Sequence, residues 1–176
     1  ATNAILSLPT IVDTTTSIGD ISKSANSWWQ AQVTASGSFA ARGLSDLRSL
    51  WNTIINNSTD GRSGDFICSA QLPYEFYEGT LQPQQRFDNA AMASAGFETL
   101  KYKSAVWTFD TNAPSGNLFV LQSGNLELVV SSGRDFVNSP FTKPTNQDAK
   151  VSQILLMCAL VSDNIRRLGK LTNLTA

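Results

Sequence analysis

Two long apolar stretches near the C-terminal end constrain the fold of this chain more than any other feature. They run from Asn117 to Val130 (NLFVLQSGNLELVV) and from Val151 to Val161 (VSQILLMCALV). Continuous apolar character over such a length is typical of a strand that is covered on both faces. The sequence therefore predicts two long strands, with Leu155 buried in the centre of the fold. The residues between them, Ser131 to Asp148, contain two prolines and a glycine and are predicted to form a long loop.

The rest of the chain mixes helical and extended patterns. Between Phe39 and Ile55 apolar residues recur at steps of three and four, which predicts an amphipathic helix with one buried stripe. The other predicted elements are a strand at Asp65–Gln71, a short helix at Tyr74–Leu81 behind Pro73, a helix at Phe87–Ala95 and a strand at Leu100–Asp110. This order predicts an α+β fold in which helices pack on a central sheet and the closing strands form a second sheet.

Charged residues are scarce and neutral polar residues are abundant. Charged side chains make up 15% of the chain, below the roughly 25% of an ordinary globular domain. The 21 Ser, 16 Thr, 13 Asn and 9 Gln together give 59 neutral polar residues, about a third of the chain. A surface of this kind can be buried against neighbours without removing water from many charges, which favours a protein that assembles. A β-rich and turn-rich composition alone would explain it equally well.

Charge and apolar length argue against two classes of partner. With 13 basic and 14 acidic residues the net charge is −1, so we expect no binding to a nucleic-acid backbone. No apolar run approaches the roughly 18 residues of a membrane-spanning helix, so we expect no membrane partner. Cys68 and Cys158 lie 90 residues apart, a spacing that fits no metal site, and both are predicted to be small buried side chains rather than a disulfide.

The sequence offers little for catalysis. It contains no histidine, which removes the usual general base, the commonest metal ligand and the Ser–His and Cys–His nucleophiles. Glu75 and Glu78 lie three residues apart on one predicted helix face and could pair for acid–base chemistry, although a solvated helix face is the more common meaning of such a pair. Gly61–Gly64 (GRSG) lacks the lysine of a phosphate loop and is predicted to be a turn. We therefore predict no enzyme activity, no cofactor and no metal.

Several local patterns resemble the major capsid (head) protein of tailed bacteriophages, which has the Hong Kong 97-type fold. The patterns are YEFYEGTLQPQQRF at Tyr74–Phe87 followed by Ala95–Ala105, the turn and strand at Asn112–Val130, the closing segment Asn146–Leu174, and the aromatic pair Trp28 and Trp29. Each is weak alone, but together they cover most of the chain. The likeness is to the C-terminal half to two-thirds of that subunit.

The resemblance implies a domain organisation. Residues 28–113 would form the axial domain, which clusters at the centre of a pentamer or hexamer. Residues 1–27 would be a connector from the peripheral domain, and residues 114–176 would supply strands and a tail that return to it. The N-terminal arm, extended hairpin loop and spine helix of the family find no room in this chain, so we expect a C-terminal part of a larger subunit that does not close into shells alone.

The resemblance also implies a structural function. The subunit would assemble with copies of itself, as pentamers and hexamers, into the icosahedral head that encloses the genome of a tailed phage or prophage. It would be made in the bacterial host cytoplasm and reside in the virion, with scaffolding, portal or decoration proteins as further partners. Candidate contacts between subunits are Arg166 and Arg167, which follow the last apolar strand, and Arg86.

Alternative functions remain open at the level of sequence. An encapsulin-type nanocompartment shell or a gene-transfer-agent head protein shares the same fold. A small carboxylate-dependent hydrolase would use Glu75 and Glu78. A soluble adaptor or binding module would stay monomeric even at full length.

Overall fold

The computed structural model describes residues 5–58, 61–81 and 100–175. The predicted helix at Phe87–Ala95 and the candidate contact residue Arg86 lie outside this part of the chain.

The described residues form short helices and many short strands. The helices are α1 (Leu8–Ile11), α2 (Leu44–Asn56) and α3 (Gln71–Leu81). The strands are β1 (Ser17–Ile18), β2 (Ile21–Ser22), β3 (Gln32–Ala35), β4 (Phe66–Ser69), β5 (Leu100–Tyr102), β6 (Ala105–Phe109), β7 (Leu118–Leu121), β8 (Leu126–Val130), β9 (Val137–Asn138), β10 (Ile154–Leu155), β11 (Cys158–Ser162) and β12 (Gly169–Thr172). The predicted elements from Phe39 to Leu81 are confirmed with shifted ends, and the first five residues of the predicted helix, Phe39–Gly43, form a π-helical turn before α2.

A six-stranded sheet is the centre of the fold, in the order β3-β12-β7-β4-β6-β5. The β12–β3 and β4–β6 pairs are parallel, and the other neighbours are antiparallel. The single strand predicted at Leu100–Asp110 is two strands, because the chain reverses at Lys103 with a positive φ of 52°. The mixed sheet with packed helices agrees with the predicted α+β class.

Strand β7 shows how both faces of the sheet are buried. Its four residues are all buried, and successive side chains point to opposite faces. Leu118 and Val120 belong to the first hydrophobic cluster, with α2 and α3. Phe119 and Leu121 belong to a second cluster on the other face. A central strand with cover on both sides is thus present, but it lies at 118–121 rather than in the later apolar stretch.

The first cluster contains the predicted helix stripe and a group of aromatic rings. Leu47, Leu50, Trp51 and Ile54 of α2 are all buried, as their spacing predicts. Trp107 lies at the centre of the aromatic group, where its ring stacks on Tyr77 with centroids 4.5 Å apart. The buried indole N–H of Trp107 donates to the Ser69 hydroxyl (2.9 Å), so the polar atom of this large side chain is satisfied.

The second cluster holds the N-terminal segment against the sheet. Ile11, Val12 and Ala31 pack with Phe119 and with Ile165 and Leu168 of the C-terminal region. The backbone N–H of Ala31 donates to the carbonyl of Asp13, which closes the segment on itself. This predicted connector therefore carries part of the hydrophobic core.

The prediction of one long strand is wrong for both apolar stretches. Asn117–Val130 contains β7 and β8, which lie in different sheets and are separated by a 3-10 turn at Ser123–Asn125. Val151–Val161 is not one central strand but contains the short strands β10 and β11, and Leu155 is 38% exposed. The predicted loop at Ser131–Asp148 is also incorrect, since it contains β9 and the bridge from Thr142 to Val151. The segments Ser131–Asp148 and Val151–Val161 both belong to one long two-stranded arm, residues 126–162, which we call the ribbon.

The cysteines are less buried than predicted. Cys68 in β4 and Cys158 in β11 are both half-buried free thiols. Burial raises the pKa of the Cys68 thiol, and the charge of Asp110 raises it further. The two cysteines do not form a disulfide with each other in this structure, while the prediction of full burial is wrong for both. Their reduced state stays a prediction.

Candidate functional site

The ribbon is a continuous antiparallel ladder with one irregular stretch. At its base, β8 pairs with β11, with Leu128 opposite Leu160 and Val130 opposite Cys158. Further out, β9 pairs with β10. Between them the backbone N–H of Ser131 donates to the carbonyl of Met157 (2.8 Å), and the N–H of Met157 donates to the carbonyl of Arg134 (2.9 Å). The extra residues of the first strand form a bulge there, which interrupts both strands but not the ribbon.

The ribbon is apolar and exposed on both faces. Of the 17 large hydrophobic side chains that are exposed in the described residues, 12 lie on it. Phe141, Ile154 and Leu128 are 73%, 69% and 60% exposed. The other nine are Val129, Val130, Phe136, Val137, Val151, Leu155, Leu156, Met157 and Val161.

The amount of apolar surface can be estimated from these exposures. Full burial of a large hydrophobic side chain contributes ~1.5–3 kcal/mol, and each Å² of buried apolar surface contributes about 25 cal/mol. One such side chain therefore has about 60–120 Å² of apolar surface. Twelve side chains that are on average about half exposed therefore leave roughly 400–700 Å² of apolar surface in water. This total is divided between the two faces of the ribbon, and it is comparable to the largest single patch of a typical monomer, about 300–600 Å². The ribbon is a candidate contact surface because it carries most of the exposed large hydrophobic side chains of the described residues.

The root of the ribbon rests on the second cluster. Leu126 and Leu160 pack against the buried residues of that cluster, which include Phe119 and Ile165. The direction in which the ribbon leaves the sheet is therefore set by the same contacts that hold the N-terminal segment.

A buried lysine anchors the N-terminal segment beside this root. Lys23 is fully buried, and its ammonium donates to the carbonyl oxygens of Thr10 (2.8 Å) and Ile11 (2.7 Å) at the end of α1. Asp13 lies next to it and forms an ion pair with Lys170 of β12 (3.8 Å). The ion pair of Asp13 with Lys170 thus joins the N-terminal segment to the sheet. Because Lys23 lies beside Asp13 and donates two hydrogen bonds, its buried charge is not isolated.

The pKa values of this group follow from burial and neighbours. Burial lowers the pKa of Lys23, the charge of Lys170 lowers it further, and Asp13 raises it in part. Burial raises the pKa of Asp13, but hydrogen bonds from Thr15 and the charge of Lys170 outweigh this and leave its pKa below the usual value.

The predicted contact residues lie near one end of the second cluster. Arg166 and Arg167 are in a 3-10 turn, Ile165–Arg167, that precedes β12. The guanidinium of exposed Arg166 donates to the side-chain oxygen of Asn57 (2.8 Å), at the end of α2. Their role between subunits stays a prediction, as does that of Arg86.

The two carboxylates considered for catalysis, Glu75 and Glu78, differ in their surroundings. Glu75 is exposed on α3 and accepts a hydrogen bond from the Gln71 side chain one turn earlier, while Glu78 is half-buried. Among residues 5–58, 61–81 and 100–175 no group of three or more His, Cys, Asp or Glu side chains is placed to hold a metal ion. Within the same residues, no helix has the length and apolar character to cross a membrane.

No protein-family model and no curated protein matches this sequence. Solved structures, in contrast, resemble almost the whole chain. A chain of the cyanophage A-1(L) capsid asymmetric unit superposes with a TM-score of 0.57 at 12% identity, over 94% of this chain and 57% of that chain. The chain has a capsid-type fold. The predicted α+β Hong Kong 97-like capsid fold is thereby confirmed.

The present chain is also similar to a virus-like particle from Pyrococcus furiosus, with a TM-score of 0.48 and 12% identity. The match covers 80% of the present chain and 54% of the Pyrococcus chain. The capsid-type chain spans little more than half the length of either structure. At 12% identity the likeness concerns the fold, and function has to be argued separately.

Sequence reasoning missed the most distinctive surface of this capsid-type chain. Phe136, Val137 and Phe141 lie inside the segment that was predicted to be a loop. These three large apolar side chains within six residues could have indicated a strand or a contact surface, because solvated loops are usually polar. The prolines at positions 140 and 144 outweighed that signal.

Proposed function

We propose that this chain is part of a major capsid protein that assembles with copies of itself into the icosahedral head of a tailed bacteriophage or prophage. The observation that carries the proposal is the capsid-type fold over 94% of the chain. The exposed apolar ribbon supports it, because subunits of a closed shell can cover surfaces that would be unfavourable in a monomer. The low content of charged residues supports it in the same way.

In this proposal the domain assignment from the resemblance is kept. Residues 28–113 form the axial domain, while 1–27 and 114–176 connect it to the peripheral domain. Strands β7 and β12 from the last part join the sheet that holds β4 to β6, so the parts share one core. Assembly takes place in the host cytoplasm, and scaffolding, portal or decoration proteins are further partners of the virion.

Electron microscopy of the complete gene product, expressed in a bacterial host, tests the proposal. Closed and uniform particles are expected, whereas a product that stays monomeric under all conditions would contradict it. The content of the particles then separates the alternatives with the same fold. Packaged DNA supports a phage or gene-transfer-agent head, and a protein cargo supports an encapsulin-type shell.

A further inference from the structure

We propose that the ribbon bends at a hinge midway along its length, so that its outer half swings as one unit about its inner half. The hinge consists of residues 131–136 and, on the opposite strand, Leu156 and Met157. This motion lies within a single chain, so it does not depend on the proposed function.

The two strands of the ribbon differ in length at the hinge. Val130 pairs with Cys158 on one side of it, and Val137 pairs with Leu155 on the other. Six residues of the first strand, 131–136, therefore lie opposite two of the second. An ordinary β-bulge inserts one extra residue, whereas six against two leaves four extra residues here. The regular ladder, which would fix the angle between the two halves, is thus absent over this stretch.

Few interactions hold the two strands together at the hinge. Both hydrogen bonds that cross it involve Met157, whose N–H donates to the carbonyl of Arg134 and whose carbonyl accepts from the N–H of Ser131. Within the described part of the chain, no side chain of residues 131–136 makes a hydrogen bond or an ion pair. All six residues are exposed, so packing does not fix them either. The angle between the halves therefore depends on the backbone of a few residues.

That backbone is of a kind that absorbs rotation. A turn begins the segment, where the N–H of Arg134 donates to the carbonyl of Ser131 (3.0 Å) and Gly133 has a φ of 77°. Phe136 has a φ of 48°, which is unfavourable for a bulky residue. Strain of this kind persists where surrounding contacts impose it, but Phe136 is 68% exposed. Alternative conformations of the hinge are therefore close in free energy to the one described.

The outer half, residues 137–155, is by contrast well connected. The backbones of Thr142 and Val151 exchange two hydrogen bonds of 2.9 Å, and the N–H of Gln153 donates to the Ser139 hydroxyl (2.8 Å). The inner half, β8 with β11, is paired over its whole length and is fixed to the core at the root. Two connected units joined by a weakly held segment are the arrangement of a hinge.

Distances between spin labels on the 1–176 chain test the hinge. One labelled pair, S49C with E127C, joins α2 to the inner half of the ribbon. The other, S49C with V151C, joins α2 to the outer half. All three positions are exposed, and the background carries C68S and C158S so that labels attach only at the new cysteines. An excess of unlabelled chain restricts the measured distances to single molecules.

The pair that reaches the outer half should give a broader distribution of distances than the pair that reaches the inner half. A rotation of about 20°, the size of the twist between neighbouring strands, moves Val151 by ~6 Å, because it lies ~17 Å beyond Leu156. The difference in width should therefore be about 6 Å. Distributions of equal width would overturn the proposal.

Deletion of residues 132–135 is the matched control, because it leaves two residues opposite two. Four is an even number, so every side chain beyond the deletion keeps its face of the ribbon. The distribution for the outer half should then become as narrow as that for the inner half. A distribution that stays broad would place the motion at the root or within the outer half, and it would overturn the proposal.

Residual dipolar couplings of the unmodified chain give a second measurement. The amides of the outer half should show weaker alignment than those of the central sheet, whereas the amides of the inner half should match the sheet. Hydrogen exchange at Thr142 and Val151 should still be at least about tenfold slower than in an unstructured peptide, because the outer half stays paired while it swings. Equal alignment of both halves, or unprotected amides at these two positions, would overturn the proposal.

Discussion

Replacement of Lys23 by methionine should destabilise the protein by about 2–3 kcal/mol. The side chain is fully buried, and its ammonium makes two hydrogen bonds to backbone carbonyls. Bonds from a charged donor contribute ~1.5–3 kcal/mol each, and methionine can replace neither. The carbonyl of Thr10 keeps a bond from the Thr16 hydroxyl (2.9 Å), so the loss falls mainly on the carbonyl of Ile11.

Burial of the ammonium offsets part of this contribution. The lowered pKa of Lys23 shows that the charged form loses solvation in the folded state. Methionine has a similar length and needs no such solvation, which is why the expected loss is less than the sum of two charged hydrogen bonds.

Urea unfolding of K23M and wild type, followed by tryptophan fluorescence, measures the difference in the free energy of unfolding. Lys101→Met, an exposed lysine of β5, is the control and should change stability by less than about 0.5 kcal/mol. If K23M were as stable as the wild type or more so, the cost of burying the ammonium would exceed what its hydrogen bonds contribute, as happens at some buried ion pairs.

Two further predictions concern pH and the ribbon. Because the folded-state pKa of Lys23 lies below its ordinary value of 10.5, the stability of the wild type relative to K23M should increase as pH rises through the folded pKa towards that value. A difference that stays constant between neutral pH and pH 10 would contradict this assignment. Leu155→Asp should leave the chain folded, within about 1 kcal/mol of the wild type by urea unfolding, because Leu155 is partly exposed. Leu47→Asp, at a fully buried position, should unfold it, and similar melting of both variants would show that exposure is not the deciding factor.

The α2 stripe and the sheet strand β4 were predictable because their neighbours are supplied by this chain. The periodic spacing of Leu47, Leu50 and Ile54 indicates a helix with one apolar face, and in the structure the sheet covers that face. The same reasoning failed for Val151–Val161. An apolar run indicates that a segment is covered, but it does not reveal whether the cover comes from the same chain.

The role of Lys23 had no sequence signal at all. It stands between Ser22 and Ser24 in a polar stretch, where a lysine is ordinarily solvated. Its burial follows from the position of α1, whose last carbonyls need donors and point towards β2. Such a contact depends on tertiary placement, and local patterns cannot supply it.

The ribbon is long and is attached to the core only at its root, where Leu126 and Leu160 pack on the second cluster. A small rotation at the root therefore moves the far end by a large distance. Twelve residues from Val151 to Ser162 extend ~40 Å at about 3.3 Å per residue. A rotation of about 5° at Leu126 and Leu160 therefore moves the far end by ~3.5 Å, about the rise of one residue along a strand. Small changes in side-chain volume beneath the root, at Phe119 or Ile165, would therefore be amplified into displacements of several ångströms at the far end of the ribbon. If the chain assembles into a shell as proposed, the position of the ribbon would affect the curvature of the shell, and the buried residues beneath the root would influence how many copies fit around one particle.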